Sequence, residues 1–230
     1  MKILNLASKL SFQSPFLFDK FANSQILTIS PLEDEKLANS KFIKCEIGAQ
    51  SYVLAMLCAK FEKSEFFENL DIGFLSGESN VGEEEIDEIY EFINSCNIAI
   101  VDENLINFHK DRENIAIFLG ILQNKFDLKI INLNNEEFDF KFGALSELKE
   151  LDEYNGTVIF KHKQDDKFVG GKYFSMVAKI QNDDKVIIKT KNLNLEKTFI
   201  LDENLKGTVA FLGIDEVLDY NFELARIIKV

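Results

Sequence analysis

The chain has no tryptophan, two histidines, three cysteines and two prolines in 230 residues. His109 and His162 stand far apart, so a histidine-based metal site is not expected. Cys45, Cys58 and Cys96 form neither a CxxC pair nor a Cys/His cluster, which predicts no zinc site and no iron–sulfur cluster. An odd, sparse cysteine count suits a reducing cytosol, and a cytoplasmic location is the expectation. So few prolines, with 11 glycines, exclude collagen-like and low-complexity chains. Positive charge is in deficit: 26 Lys and Arg against 39 Asp and Glu give a net charge of −13, a field that repels phosphate backbones and argues against nucleic-acid binding. No apolar run approaches the ~18 residues that a membrane span needs, so direct membrane insertion is not expected. Met1-Lys2-Ile3-Leu4-Asn5-Leu6 mimics a signal peptide, but Ser8, Lys9, Ser11 and Gln13 interrupt it and no cleavage site follows. The 22 phenylalanines accompany abundant Lys, Asn and Ile and read as compositional bias rather than as an aromatic ligand site.

What is present is 46% apolar residues, enough for a sizeable core, arranged with two different periods. Between about residues 24 and 150, β-favouring runs alternate with helical stripes. Residues 26–29, 42–47, 71–75, 97–101 and 128–133 are predicted strands. Helices are predicted over 49–63 (Leu54, Leu57, Cys58, Phe61), 82–94 (Ile86, Ile89, Tyr90, Ile93) and 112–124 (Ile115, Phe118, Leu119, Leu122). That alternation predicts a parallel, Rossmann-like sheet with helices over its faces. After residue 151 the helical period disappears. Runs at 157–160, 174–180, 186–189, 198–201, 208–212 and 222–230 predict a small β-barrel or sandwich. The fold class is therefore α/β, with an α/β domain over 1–150 and a β-barrel domain over 151–230. Charge divides at the same place: residues 1–150 carry a net charge of −12, residues 151–230 one of −1, and the stretch 157–197 one of +4.

Four motifs bear on chemistry. Gly77-Glu78-Ser79-Asn80-Val81-Gly82-Glu83-Glu84 reads as a loop between a strand and a helix. A phosphate-binding loop needs Lys then Ser or Thr after its second glycine, and Glu83 and Glu84 stand there, so helix capping by Asn80 with Glu83 is preferred. In an open parallel sheet the ligand crevice lies beyond the carboxyl ends of the strands. Those ends are read as residues 76–80, 102–104 and 132–134, which nominates Ser76, Asn80 and Asn104. His109-Lys110-Asp111-Arg112 precedes a helix, where Asp111 caps and Lys110 and Arg112 could face an anion. Gly170-Gly171-Lys172 reads as a hairpin turn that adds Lys172 as a third counter-charge. No catalytic dyad or triad stands out, since 39 acidic residues make chance carboxylate pairs inevitable.

Several stretches together resemble a known family. Phe42-Ile43-Lys44-Cys45-Glu46-Ile47-Gly48, running into the helix at 49–60, resembles a Tyr-Glu-Val-Gly stretch before a Leu/Ala-rich helix in the large iron–sulfur subunit of bacterial respiratory complex I, a molybdopterin oxidoreductase-like protein. Residues 77–85, residues 98–104 with His109, and Asn114-Ile115-Ala116-Ile117-Phe118-Leu119-Gly120 are similar to later parts of the same region. Residues 201–210 look like the strand and turn of that family's C-terminal barrel. The order agrees over roughly residues 25–230, while the ligands of iron–sulfur clusters and of molybdenum are missing. The resemblance implies a small complex I-associated subunit of the kind that replaces the NADH-binding subunit in some bacteria. It would sit among the other peripheral-arm subunits at the inner face of the membrane and dock flavodoxin or ferredoxin as electron donor. It would relay electrons through a bound flavin, FAD or FMN, with Ser76, Asn80, Asn104, Lys110, Arg112 and Lys172 as the candidate cofactor-binding residues. The alternatives are a cofactor-free structural or assembly subunit of the same complex, and a stand-alone small-molecule-binding enzyme. Docking would use the basic stretch, through Lys161, Lys163, Lys185, Lys189 and Lys191.

Overall fold

In the computed structural model of the chain, residues 1–37, 40–138, 140 and 143–230 are described. They form two units, Met1–Leu151 and Asp152–Val230. The first runs β1 (Lys2–Asn5), α1 (Leu10–Gln13), α2 (Pro15–Lys20), β2 (Gln25–Ser30), β3 (Ser40–Lys44), α3 (Gln50–Ala59), α4 (Glu65–Glu68), α5 (Ile72–Ser79), α6 (Glu83–Ile93), β4 (Ile98–Ile100), α7 (Glu103–Asn107), α8 (Arg112–Phe126) and β5 (Lys129–Ile131). All five strands pair in parallel, in the order β3-β2-β1-β4-β5. A parallel sheet is covered on both faces, which is why β1, β2, β4 and β5 are mostly buried, while β3 at the edge keeps exposed lysines. Ile3, Ile26, Ile100 and Ile131 pack with Leu10, Leu17 and Phe21 of α1 and α2. Helix α6 packs on β1, and α3, buried at residues 50–58, packs against α4, α5, α6 and α8.

One strand of this unit went unread in the sequence, and one expectation is corrected. The signal-like start is β1, the central strand: its burial on both faces removes the alternation that marks a strand. Residues 71–75 are not a strand but the start of α5. Asp71 caps that helix by accepting the Phe74 N–H at 2.9 Å, and Asn80 ends it in the left-handed conformation at φ 56°.

The second unit runs β6 (Val158–His162), β7 (Phe168–Gly170), α9 (Lys172–Ala178), β8 (Lys185–Lys189), β9 (Asn194–Leu201), β10 (Val209–Gly213), β11 (Phe222–Leu224) and β12 (Arg226–Lys229). One mixed seven-stranded sheet has the order β11-β6-β10-β7-β9-β8-β12, with parallel pairs β6–β10 and β7–β9. Strands β11 and β12 lie at opposite edges, yet only Ala225 separates them in the chain. The sheet must therefore curl until its edges approach, giving a half-barrel around Ile159, Phe168, Phe174, Val186, Ile188, Phe199 and Leu212. Of the small β-barrel or sandwich expected from the strand spacing, the structure shows the curled sheet of a half-barrel, since one residue leaves no turn for β12 to fold back beside β11.

Three further readings change here. Residues 174–180, read as a strand, belong mostly to α9, whose Phe174 is held edge-on to Phe168 at 5.7 Å and stacked on Phe199 at 6.0 Å. Gly170-Gly171-Lys172 is a strand-to-helix junction and not a hairpin turn. A Cβ on Gly170 would stand 2.9 Å from Phe199, and one on Gly171 would run into the carbonyl of Leu205. Lys161, expected outward beside Lys163, is 2% exposed.

Candidate functional site at the carboxyl edge of the parallel sheet

Strand order reverses at β1: the chain goes from it to β2 and β3 on one side and returns to β4 and β5 on the other. The carboxyl ends of β1 and β4 therefore flank the position where open α/β sheets bind ligands. Side chains of the chain itself occupy it. Asn5 Oδ1 accepts the Ala7 N–H at 3.1 Å, and Asn5 Nδ2 donates to Thr28 Oγ1 at 3.2 Å. Gln13 accepts the Lys9 N–H at 3.3 Å through Oε1 and reaches across from the β1 side to donate to Asp102 Oδ2 at 2.7 Å. Asp34, from the segment after β2, accepts both the backbone N–H and the hydroxyl of Ser11, each at 2.7 Å. In a dinucleotide-binding turn these N–H groups would face a phosphate. Here a buried carboxylate takes that place.

The β4 and β5 ends are tied in the same way. Asp102 Oδ1 accepts the Asn104 N–H at 2.9 Å, and Asn132 donates to Glu103 and Glu136 at 2.9 and 2.8 Å. Burial pushes the Asp102 carboxyl above the usual carboxylate range, against the bonds it accepts from Asn104 and Gln13.

Within the first unit the nominated residues lie at three separate places. Ser76 lies inside α5 and Asn80 is its C-cap, at a helix–helix corner. Just past the end of β3, the Glu46 N–H donates to the Ser79 carbonyl of that corner at 3.0 Å. The next helix is capped not by Asn80 with Glu83 but at Gly82, whose N–H donates to Glu85 Oε2 at 2.7 Å. Asn104 stands at the β4 end. Lys172 belongs to the second unit, at the start of α9.

Lys110 and Arg112 do come together, beside a cavity of about 190 Å³ at the start of α8 that Ser146 and Lys149 also line. Pockets for drug-sized ligands run to roughly 300–1,000 Å³, so this one is too small for a mononucleotide. Asp111, expected to cap α8, instead accepts the Ser51 hydroxyl at 3.0 Å and the Lys149 N–H at 3.2 Å. His109 Nδ1 accepts the Asp111 N–H at 2.9 Å, so Nε2, 2.8 Å from the Gly48 carbonyl, must carry the proton and donate. Ser51, Asp111 and His109 are thus a buried brace between the starts of α3 and α8. The one sequence signal for it was a pair of polar residues, Gln50 and Ser51, opening an otherwise apolar helix.

A larger groove of about 650 Å³ runs along α4 and α8 past Phe66, Phe67, Ile117 and Ile121. None of the nominated residues lines it. Burial raises the thiol pKa of Cys45 and Cys58 well above the usual value and that of Cys96 to about 12, which leaves them poor nucleophiles. Among the described residues no group of three or more His, Cys, Asp or Glu side chains is placed to hold a metal ion. Among the described residues no helix is long and apolar enough to cross a membrane.

The second unit has its own polar cluster. The Lys161 ammonium pairs with Asp219 and, at 2.8 Å, with Glu223. Beside it His162 is 5% exposed, and its Nδ1 accepts the Gln164 N–H at 3.2 Å. Burial holds the His162 pKa below the usual 6.5, partly offset by Asp165. The folded state then binds fewer protons than the unfolded state just below pH 6.5. Stability is full above that pH and falls as pH drops toward the folded value, by at most about 1.4 kcal/mol per pH unit. Urea midpoints at pH 7 and 5 should differ in this direction, and His162→Gln should flatten the difference.

No family model and no curated protein matches the chain.

Proposed function

We propose that the chain is a peripheral-arm subunit of a complex I-type quinone oxidoreductase that docks an acidic electron carrier, flavodoxin or ferredoxin, and performs no chemistry of its own. One observation carries the choice of docking over catalysis: at the β1 and β4 ends Asp34 bonds Ser11 and Gln13 bonds Asp102, so the polar groups there are committed to one another. The colinear resemblance over residues 25–230 supports the assignment to that complex. On this reading the parallel sheet and the curled mixed sheet correspond to the α/β and barrel portions of a molybdopterin oxidoreductase-like fold. The charge contrast between the two halves supports an acidic donor, which the −12 of residues 1–150 would repel and the +4 of residues 157–197 attract.

The residues nominated for a flavin do not fit one. Those of the first unit are scattered over a helix corner, a strand end and a small cavity, and the N–H groups after β1 already have acceptors. The test is purification of the tagged full chain from gently solubilised membranes of its own cells. Other subunits of a quinone oxidoreductase are expected with it in fixed stoichiometry. A chain that elutes alone at low and physiological salt overturns the proposal.

A further inference from the structure

Strand register fixes what the outer face of the β12-β8-β9 corner presents. Directly opposite residues share a face, and alternate residues along each strand share it too. Arg226 lies opposite Lys189, which lies opposite Asn194; Ile228 lies opposite Ile187, which lies opposite Glu196; Lys185 lies opposite Thr198. Val186 and Ile188 point the other way, into the core, and are fully buried. The outer face therefore has Ile187 and Ile228, both part-exposed, in its middle row. Exposed Arg226 and Lys189 lie on one side of that row and exposed Lys185 on the other. Glu196 is the only carboxylate in these three rows.

Two features say that these cations serve something outside the chain. Lys189 and Arg226 are like charges directly opposite one another, a placement that destabilises a strand pair. Among the described residues, neither they nor Lys185 has a side-chain hydrogen bond or ion pair; Lys229, on the other face of β12, pairs with Asp184 at 2.6 Å instead. An apolar centre with a charged rim is the anatomy of a protein interface. A polyanion such as nucleic acid would not need the isoleucines, and the net charge of −13 repels it.

We infer that the outer face of β12, β8 and β9 is the docking surface for an acidic protein whose carboxylates meet Arg226, Lys189 and Lys185 around an apolar contact on Ile187 and Ile228. Only the identity of that protein as an electron carrier rests on the docking reading above. Lys161 has no part in it and Lys163 lies outside the strands concerned. The main competitor is the outer side of α9, where Tyr173, Met176 and Val177 are 62%, 64% and 49% exposed at positions i, i+3 and i+4.

The experiment places a photo-reactive residue at position 187 of the full chain in its own cells and identifies cross-linked proteins by mass spectrometry. The expected result is one acidic protein, whose cross-link is lost in Lys185→Glu/Lys189→Glu/Arg226→Glu and kept in Tyr173→Asp/Met176→Asp. With that protein purified, the triple reversal should slow association about tenfold at low salt, and the difference should shrink above about 0.15 M salt. If the cross-linked protein carries no electrons, the face stands and the donor reading falls. A cross-link to a second copy of the chain, loss only in the α9 variant, or no effect of the reversal overturns the inference.

Discussion

Replacing Lys161 with alanine should destabilise the second unit by about 3 kcal/mol, read as a lower urea midpoint at pH 7. The lysine sits in β6, between β11 and β10, and its side chain is 1% exposed. Its ammonium holds Asp219 and Glu223, which in turn accept from Asn192 Nδ2 at 3.0 Å and from the Lys191 N–H at 3.2 Å. One buried cation thereby ties β6 to the segment before β11 and to the turn after β8. Its removal takes away the cation that both carboxylates, 30% and 19% exposed, share. Their partial exposure puts the cost at the lower end of the ~3–5 kcal/mol typical of a broken buried pair. Replacing all three together (Lys161→Met, Asp219→Asn, Glu223→Gln) should recover most of the loss, since both carboxylate charges then leave with the ammonium. A single-variant loss below 1 kcal/mol would mean that water reaches the cluster.

Gly171→Ala should cost about as much, roughly 3 kcal/mol, for a different reason. Gly171 has φ −80° and ψ 176°, a conformation open to any residue, so backbone strain is not the cause. The added Cβ would overlap the carbonyl oxygen of Leu205 and stand 2.9 Å from its carbonyl carbon. That carbonyl is backbone, in a turn closed by the Leu205 N–H to Asp202 O at 3.1 Å, and has little room to retreat. Gly77→Ala in α5 is the matched control. Nothing lies within 4 Å of its added Cβ, and a helix interior should gain about 0.5–1 kcal/mol from the exchange. Equal effects at the two glycines, measured by denaturation of each variant, would remove the steric explanation.

Helices α3, α6 and α8 were legible because each is long enough for its apolar stripe to repeat. Strand β1 and helices α5 and α9 were not, since four to eight residues of buried sequence carry no period that separates strand from helix. The outward reading of Lys161 failed on the same physics. Alternation assumes one wet face, and β6 is buried at all five positions. At the sheet edge, Asn104 and the polar ends at 102–104 and 132–134 followed from the rule for parallel sheets. What sequence could not show is which residues fill the crevice. Gln13 reaches Asp102 across 89 residues and Asp34 reaches Ser11 across 23, contacts that exist only once the strand order is set. Arg226 was missed in the same way, because its place beside Lys189 depends on a register between strands that are not neighbours in the chain.

That the crevice is closed by the chain's own side chains is the claim on which docking, rather than catalysis, depends. Thermal unfolding of the full chain with 1 mM FMN, FAD or NADH tests it most directly. A ligand held at ~10 μM affinity would be present at about 100 times its Kd and would stabilise its unit by about 2.7 kcal/mol, raising Tm by roughly 5–10 °C. A closed crevice predicts no shift with any of the three. A rise of that size with one of them, abolished when Asn104 at the β4 end is replaced and kept when Lys110 and Arg112 at the α8 cavity are, would contradict it.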